Sequence, residues 1–166
     1  MKFGEGKGKF IESWGKLAID WGLNRTVGQV HALLLISCNP LCADTIMDEL
    51  KISRGNTHIT LRTLIDWGLA YKIHLPGERK EYFKAEKDLW KVMSQVVKMR
   101  KKKELDPMIE VLTELSSVKA ECRESEEFSR TVNEIKAFSV KAESALNNVT
   151  NTEMGWLMNS VLRLRR

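Results

Sequence analysis

The chain has 166 residues, of which 43% are hydrophobic and 30% are charged, and its net charge is +5. That length supports one packed domain with an appendage. No apolar run approaches the ~18 residues of a membrane span, and the amino terminus lacks a signal-peptide core, so we expect a cytoplasmic protein. Cys38, Cys42 and Cys122 lack the further cysteines or paired histidines of a metal site, so neither a metal nor a cofactor is expected.

The first forty residues predict two helices. Apolar residues recur at helical spacing over about residues 10–21, and a second stripe runs from about Thr26 to the break at Asn39-Pro40. Before them lies a G-x-G-x-G run formed by Gly4, Gly6 and Gly8. No strand precedes this run, so we expect a flexible tail and not a phosphate-binding loop.

A short helix, a tight turn and another helix are predicted next. The third helix spans about Ala43 to Leu50, and Ser53 is placed to cap a fourth helix that ends at Gly68. We expect the fourth helix to bury a stripe formed by Thr57, Leu61, Leu64 and Ile65.

Two alternating segments follow directly. Residues 69–75 and 80–85 are rich in strand-forming residues, and Pro76-Gly77 lies in the turn between them, which predicts a β-hairpin. The predicted elements follow the order of a winged helix-turn-helix, which is two helices, a short helix, a turn, another helix and a hairpin. The predicted fold is therefore mostly α with a small β-hairpin wing, in which a winged-helix head over residues 1–85 precedes a helical dimerisation tail over residues 86–166.

The outer face of the fourth helix carries the side chains that could read DNA. Base edges are reached from the amino-terminal part of such a helix, and donors, acceptors and an apolar group for a thymine methyl are required there. Two basic residues at the hairpin tip suit phosphates or a minor groove. The predicted DNA-binding residues are Ser53, Arg54, Gly55, Asn56, His58, Ile59, Arg62, Thr63, Arg79 and Lys80.

The second half predicts helices with apolar stripes and few helix breakers. A lone helix cannot bury such a stripe, so these helices must pair within the chain or between chains. Residues 85–103 hold seven basic and two acidic side chains, whereas residues 104–166 hold eight basic and eleven acidic ones. The predicted dimerisation residues are Leu89, Val92, Val96, Phe128, Val132, Ile135, Phe138, Trp156, Leu157 and Val161. A break is expected at Asn147-Asn148, before a last helix from about Thr152.

Several segments of the head resemble the GbsR-type branch of the MarR family of transcriptional regulators. The resemblance rests on Trp14-Gly15, residues 24–29, the Ser-Arg-Gly-Asn run at residues 53–56, and residues 61–69. It implies a homodimer, an operator of two half-sites, a recognition helix at residues 53–67 and tail helices that dimerise. Some members of this branch sense small molecules, and whether this chain has such an effector is left open.

Two functions are compatible with these patterns. The first is a sequence-specific transcriptional regulator, not an enzyme, whose partners are double-stranded DNA and a second copy of itself. Winged helices also serve as protein-binding modules, so the alternative is an interaction module in a larger transcription or RNA-processing assembly. The sequence shows no catalytic nucleophile with a histidine spaced to act as its general base, so no enzymatic activity is expected.

Overall fold

The structure is a computed structural model that describes residues 1–151, which form seven α-helices, one π-helix and three strands. The head elements, in chain order, are α1 (Phe3–Asp20), α2 (Arg25–Ile36), β1 (Leu41–Cys42), α3 (Ala43–Leu50), α4 (Arg54–Asp66), β2 (Ala70–His74) and β3 (Glu81–Ala85). The remaining elements are α5 (Leu89–Arg100), the π-helix (Lys101–Leu105), α6 (Asp106–Leu115) and α7 (Arg123–Asn151). The chain divides into two compact units, and the second begins at Val96.

The strands form one antiparallel sheet in the order β1-β3-β2. In its register Ala70 lies opposite Ala85, and His74 lies opposite Glu81. Strand β1 adds two pairs, Leu41 with Phe83 and Cys42 with Tyr82. The predicted winged-helix fold is confirmed. Strand β1 was not expected, because two residues are too few to show an alternating pattern.

The core of the head lies between α2, α3, α4 and the sheet. Its large side chains, each exposed by 2% or less, are Leu33, Leu34, Ile46, Leu61, Leu64 and Leu69. Burial of apolar surface of this kind is the main favourable contribution to folding. The core therefore fixes α4 against the head through its inner face and leaves its outer face to solvent.

Helices α1 and α2 cross with almost no space between their backbones. A Cβ atom added to Gly28 would lie 2.5 Å from the Cβ of Ala18 and 2.9 Å from the Cα of Gly15. Only glycine at position 28 permits this approach, which gives a physical role to the Gly15 and Gly28 positions in the sequence. The expected flexible tail is wrong, because α1 begins at Phe3 and includes the glycine run. An ion pair of 2.7 Å between Lys7 and Glu49 of α3 holds this first part of α1 in place.

One titratable side chain is buried in the head. His31 is 2% exposed, and its Nδ1 accepts a hydrogen bond of 3.1 Å from Nε1 of Trp14. Burial lowers the pKa of His31 to about 4, since the charged imidazolium loses its hydration there. His31 is therefore neutral at pH 7, and its buried Nε2 has no hydrogen-bond partner within the described residues.

Candidate nucleic-acid interface

The turn between α3 and α4 sets the direction of α4. Lys51 ends α3 in a left-handed conformation, with φ at 54°, and the backbone N–H of Ile52 donates to the carbonyl of Met47 at 3.3 Å. This bond satisfies a carbonyl at the end of α3. The Ser53 hydroxyl then accepts from the backbone N–H of Asn56 at 3.3 Å, which confirms Ser53 as the predicted N-cap.

The outer face of α4 contains most of the predicted DNA-binding residues. Ile59 is 66% exposed, although it is a large apolar residue, and Asn56 and Thr63 are partly exposed. A Cβ atom at Gly55 would meet nothing within 4 Å, so the helix is open to close approach at that point. The exposed members of this face are Arg54, Gly55, His58, Ile59 and Arg62.

The inner face of α4 differs from the predicted stripe at two positions. Ile65, expected in the core, is 37% exposed, whereas Thr60 is fully buried. The hydroxyl of Thr60 donates to Oδ1 of Asn56 at 3.4 Å, and that of Thr57 donates to the carbonyl of Ser53 at 3.0 Å. Because both hydroxyls have partners, burying these threonines carries little penalty for their polar groups.

The wing hairpin turns at Pro76-Gly77, where Gly77 has a φ of 81° and Glu78 donates its backbone N–H to the carbonyl of Leu75 at 3.1 Å. Proline followed by glycine with positive φ is typical of a type II turn. Arg79 lies just after this turn, is exposed, and forms no ion pair with any residue of the described chain.

Lys80 has a different environment from Arg79. Its Nζ lies 2.8 Å from Oδ2 of Asp44, in the first turn of α3, so an ion pair connects the wing to the helix-turn-helix. This hydrogen bond holds the pKa of the Asp44 carboxyl below its usual range, and the charges of Arg54 and His58 lower it further. The contact of Lys80 with Asp44, and the groove that α4 shares with the wing, place the basic side chains of both elements on one side of the head.

A groove of about 320 Å³ lies between α4 and the wing, and it is lined by His58, Leu61, Arg62, Ile65, Lys72, Glu81 and Phe83. Lys72 bonds Glu81 across the hairpin at 2.7 Å. Sequence reasoning missed Asp44, Lys72 and Glu81 at this surface. Their contribution depends on where the hairpin folds against α3 and α4, which no local pattern in the sequence records.

The predicted dimerisation residues fall into three groups. Val92, Val96 and Val132 are exposed by 6% or less and are buried within the chain. Leu89, Phe128, Ile135 and Phe138 are exposed by 41% or more, with Phe138 at 74%. Trp156, Leu157 and Val161 lie outside the described residues.

Other features of the described residues concern metal sites, membrane-spanning helices and disulfides. Within residues 1–151 no group of three or more histidine, cysteine or acidic side chains could hold a metal ion. None of the helices there is both long enough and apolar enough to cross a membrane. The three cysteines are free thiols.

The fold is similar to that of a solved protein described as the crystal structure of a transcriptional regulator. The two chains are 18% identical and superpose with a TM-score of 0.68, over 87% of this chain and 95% of the other. No family profile and no curated protein matches the sequence. At this level of identity the similarity establishes a shared fold, the winged helix with its helical tail.

Proposed function

We propose that this chain is a sequence-specific DNA-binding regulator of transcription that acts as a homodimer on an operator of two half-sites. One observation supports the proposal above all others: the polar outer face of α4 and the basic wing lie on one side of the head. In winged-helix proteins such a helix enters the major groove while the wing lies on flanking DNA. The resemblance to the GbsR-type branch of the MarR family agrees with this proposal, which includes no catalytic step.

Each side chain of the interface has a distinct part in the proposal. Asn56 offers an amide that matches an adenine edge, and Ile59 offers an apolar surface for a thymine methyl. Arg54, Arg62 and Arg79 bring positive charge for phosphates, so affinity should fall as salt concentration rises. Lys80 would have to exchange Asp44 for a phosphate, so we expect it to contribute less to affinity than Arg79.

The test is selection of bound duplexes from a random library at moderate salt, using the full chain. A regulator of this kind enriches one motif repeated with two-fold symmetry, because two identical heads read two identical half-sites. An interaction module that does not bind DNA enriches no sequence, and that outcome would reject the proposal in favour of the alternative.

The selected operator then tests α4 directly. Replacing Asn56 by alanine should cost roughly 1–3 kcal/mol at one base-pair position of each half-site, because a paired contact to a base edge is lost. The matched control is Asn133→Ala, which removes an exposed asparagine of α7 and should leave affinity and base preference unchanged. Affinity and base preference that stay the same in Asn56→Ala would show that α4 does not read the sequence.

A further inference from the structure

Helix α7 has one face that is already occupied by the chain itself. Val132 and Ser139 are 6% and 7% exposed, and α7 packs against α6 and the π-helix. Glu143 on this face bonds Nζ of Lys101 at 2.9 Å, and the Ser129 hydroxyl donates to the carbonyl of Val118 at 3.3 Å. Packing within the tail thus accounts for this face.

A second face of α7 carries apolar and small residues that are mostly exposed within residues 1–151; the exception is Ala142, which is half-buried beside Leu105 and Met108. We call this face the α7 seam. Phe138 is 74% exposed, and Phe128, Ile135 and Val149 are each more than 40% exposed. The spacing alternates between three and four residues along three heptads: the seam consists of Phe128, Thr131, Ile135, Phe138, Ala142, Ala145 and Val149. This 3.5-residue repeat is the signature of a helix that packs in a coiled coil.

The charges beside the seam differ on its two sides. On the side of the occupied face, the positions next to the seam are Val132, Ser139 and Leu146, none of which is charged. The other side carries Glu127, Glu134 and Lys141. In a parallel pair of helices this side meets the occupied face of the other copy, so its charges would find no opposite charge. In an antiparallel pair it meets itself, and Glu134 then lies opposite Lys141 of the second copy.

The sizes of the seam residues favour the same arrangement. With the two-fold axis between residues 136 and 137, Phe128 faces Ala145 of the second copy, and Ile135 faces Phe138. Large residues then oppose small or medium ones along the seam, as close packing requires. A parallel pair would instead place Phe138 on Phe138 and Ala142 on Ala142, which crowds one layer and leaves a gap in the next.

We propose that the α7 seam binds the α7 seam of a second copy as an antiparallel coiled coil, with Glu134 of each chain paired to Lys141 of the other. This interface rests on the homodimer of the proposed function and deepens it, because it assigns the contact to one helix. The charges are available for it. Lys141 forms no ion pair in the described part of the chain, and Arg130, the present partner of Glu134 at 3.2 Å, is also held by Glu127.

Charge reversal in the full-length chain tests both the partner and the direction. Glu134→Lys and Lys141→Glu should each weaken the dimer by about tenfold in sedimentation, since each turns two attractive pairs into two repulsive ones. The double variant should return to within about threefold of the wild-type dissociation constant. An equimolar mixture of the two single variants should form heterodimers in preference to either homodimer, which native mass spectrometry resolves.

Glu126→Lys is the matched control, because it makes the same change of charge at a position that the heptad places opposite the seam. It should leave the dimer unchanged. If the single variants dimerise like the wild type, or if neither the double variant nor the mixture restores association, the antiparallel seam is wrong.

The outcomes separate this proposal from the proposed function. If these substitutions leave the dimer unchanged and the protein still selects a two-fold operator, the proposed regulator stands and its dimer interface lies outside the α7 seam. A chain that remains monomeric up to tens of micromolar, with its seam covered by residues 152–166 or by nothing, would overturn the seam together with the homodimer. Selection of a single half-site by such a monomer would still preserve DNA binding.

Discussion

The head and the tail use similar apolar patterns with opposite results. In the head, stripes at helical spacing end in a core where Leu33, Leu61 and Leu64 are exposed by 2% or less. In the tail, α7 carries a stripe of the same kind, yet Phe138 is 74% and Ile135 43% exposed. A helical repeat of apolar residues therefore shows that a face will be buried, but not whether its own chain or another molecule covers it.

Truncation of one large residue in each region should give the largest difference between the head and the tail. Leu64→Ala should lower the free energy of unfolding by about 3 kcal/mol at every protein concentration, because it leaves a cavity in the head core. Phe138→Ala should change the stability of the isolated chain by less than about 0.5 kcal/mol and should remove the dependence of stability on protein concentration. Denaturant unfolding over a hundredfold dilution measures both.

If Phe138→Ala lowered stability as much as Leu64→Ala at every concentration, the tail stripe would be covered within its own chain. The contrast between the two regions would then be lost.

Acid should act on the head through His31. Its folded pKa of about 4 lies below the ordinary histidine value of 6.5, so the folded state resists taking up a proton that the unfolded state accepts. The stability due to neutral His31 is complete above pH 6.5 and declines as the pH falls, by about 3 kcal/mol at pH 4. Between pH 7 and pH 4, the wild type should lose about 3 kcal/mol more of its free energy of unfolding than His31→Gln does. The glutamine amide oxygen can still accept the hydrogen bond from Trp14, and unfolding curves at the two pH values measure the difference.

A loss of stability of equal size in His31→Gln and in the wild type would assign the acid sensitivity to other groups.

The smallest predicted effect concerns the turn between α3 and α4. Lys51 has a φ of 54°, a conformation that disfavours residues with a side chain. Lys51→Gly should therefore stabilise the head by about 0.5–1 kcal/mol, after the greater entropy of glycine in the unfolded chain is included. Thermal unfolding measures it, with the exposed Lys84→Gly in β3, where φ is not positive, as the destabilising counterpart.

The elements with strong local signals were predictable from the sequence. Ser53 before an apolar-periodic run gave the start of α4, and Pro76-Gly77 between two alternating segments gave the wing hairpin. The residues predicted to contact DNA do lie on the exposed side of α4, because the positions of the core leucines determine which side of a helix faces away from the core; their contact with DNA stays a prediction.

The errors arose where distant contacts override local preference. Gly4, Gly6 and Gly8 weaken a helix, yet α1 includes them, and contacts such as that of Lys7 with Glu49 of α3 are not visible in local sequence. Asn147-Asn148 was expected to interrupt the last described helix, but α7 continues through both residues to Asn151. Thr60 is buried where Ile65 was expected, because its hydroxyl has a hydrogen-bond partner inside the helix. A pattern of hydrophobic residues does not reveal such a bond.

Strand β1 has a mechanical consequence for the proposed reader of DNA. A hairpin joined only to itself could pivot about its base, independently of the helix beside it. Here the residues that lead into α3 are also a strand of the wing sheet, since Leu41 pairs with Phe83 and Cys42 with Tyr82. A force applied at the wing tip must either break this pairing or be transmitted to α3. The wing and the helix-turn-helix should therefore tilt as one rigid lever when the duplex bends.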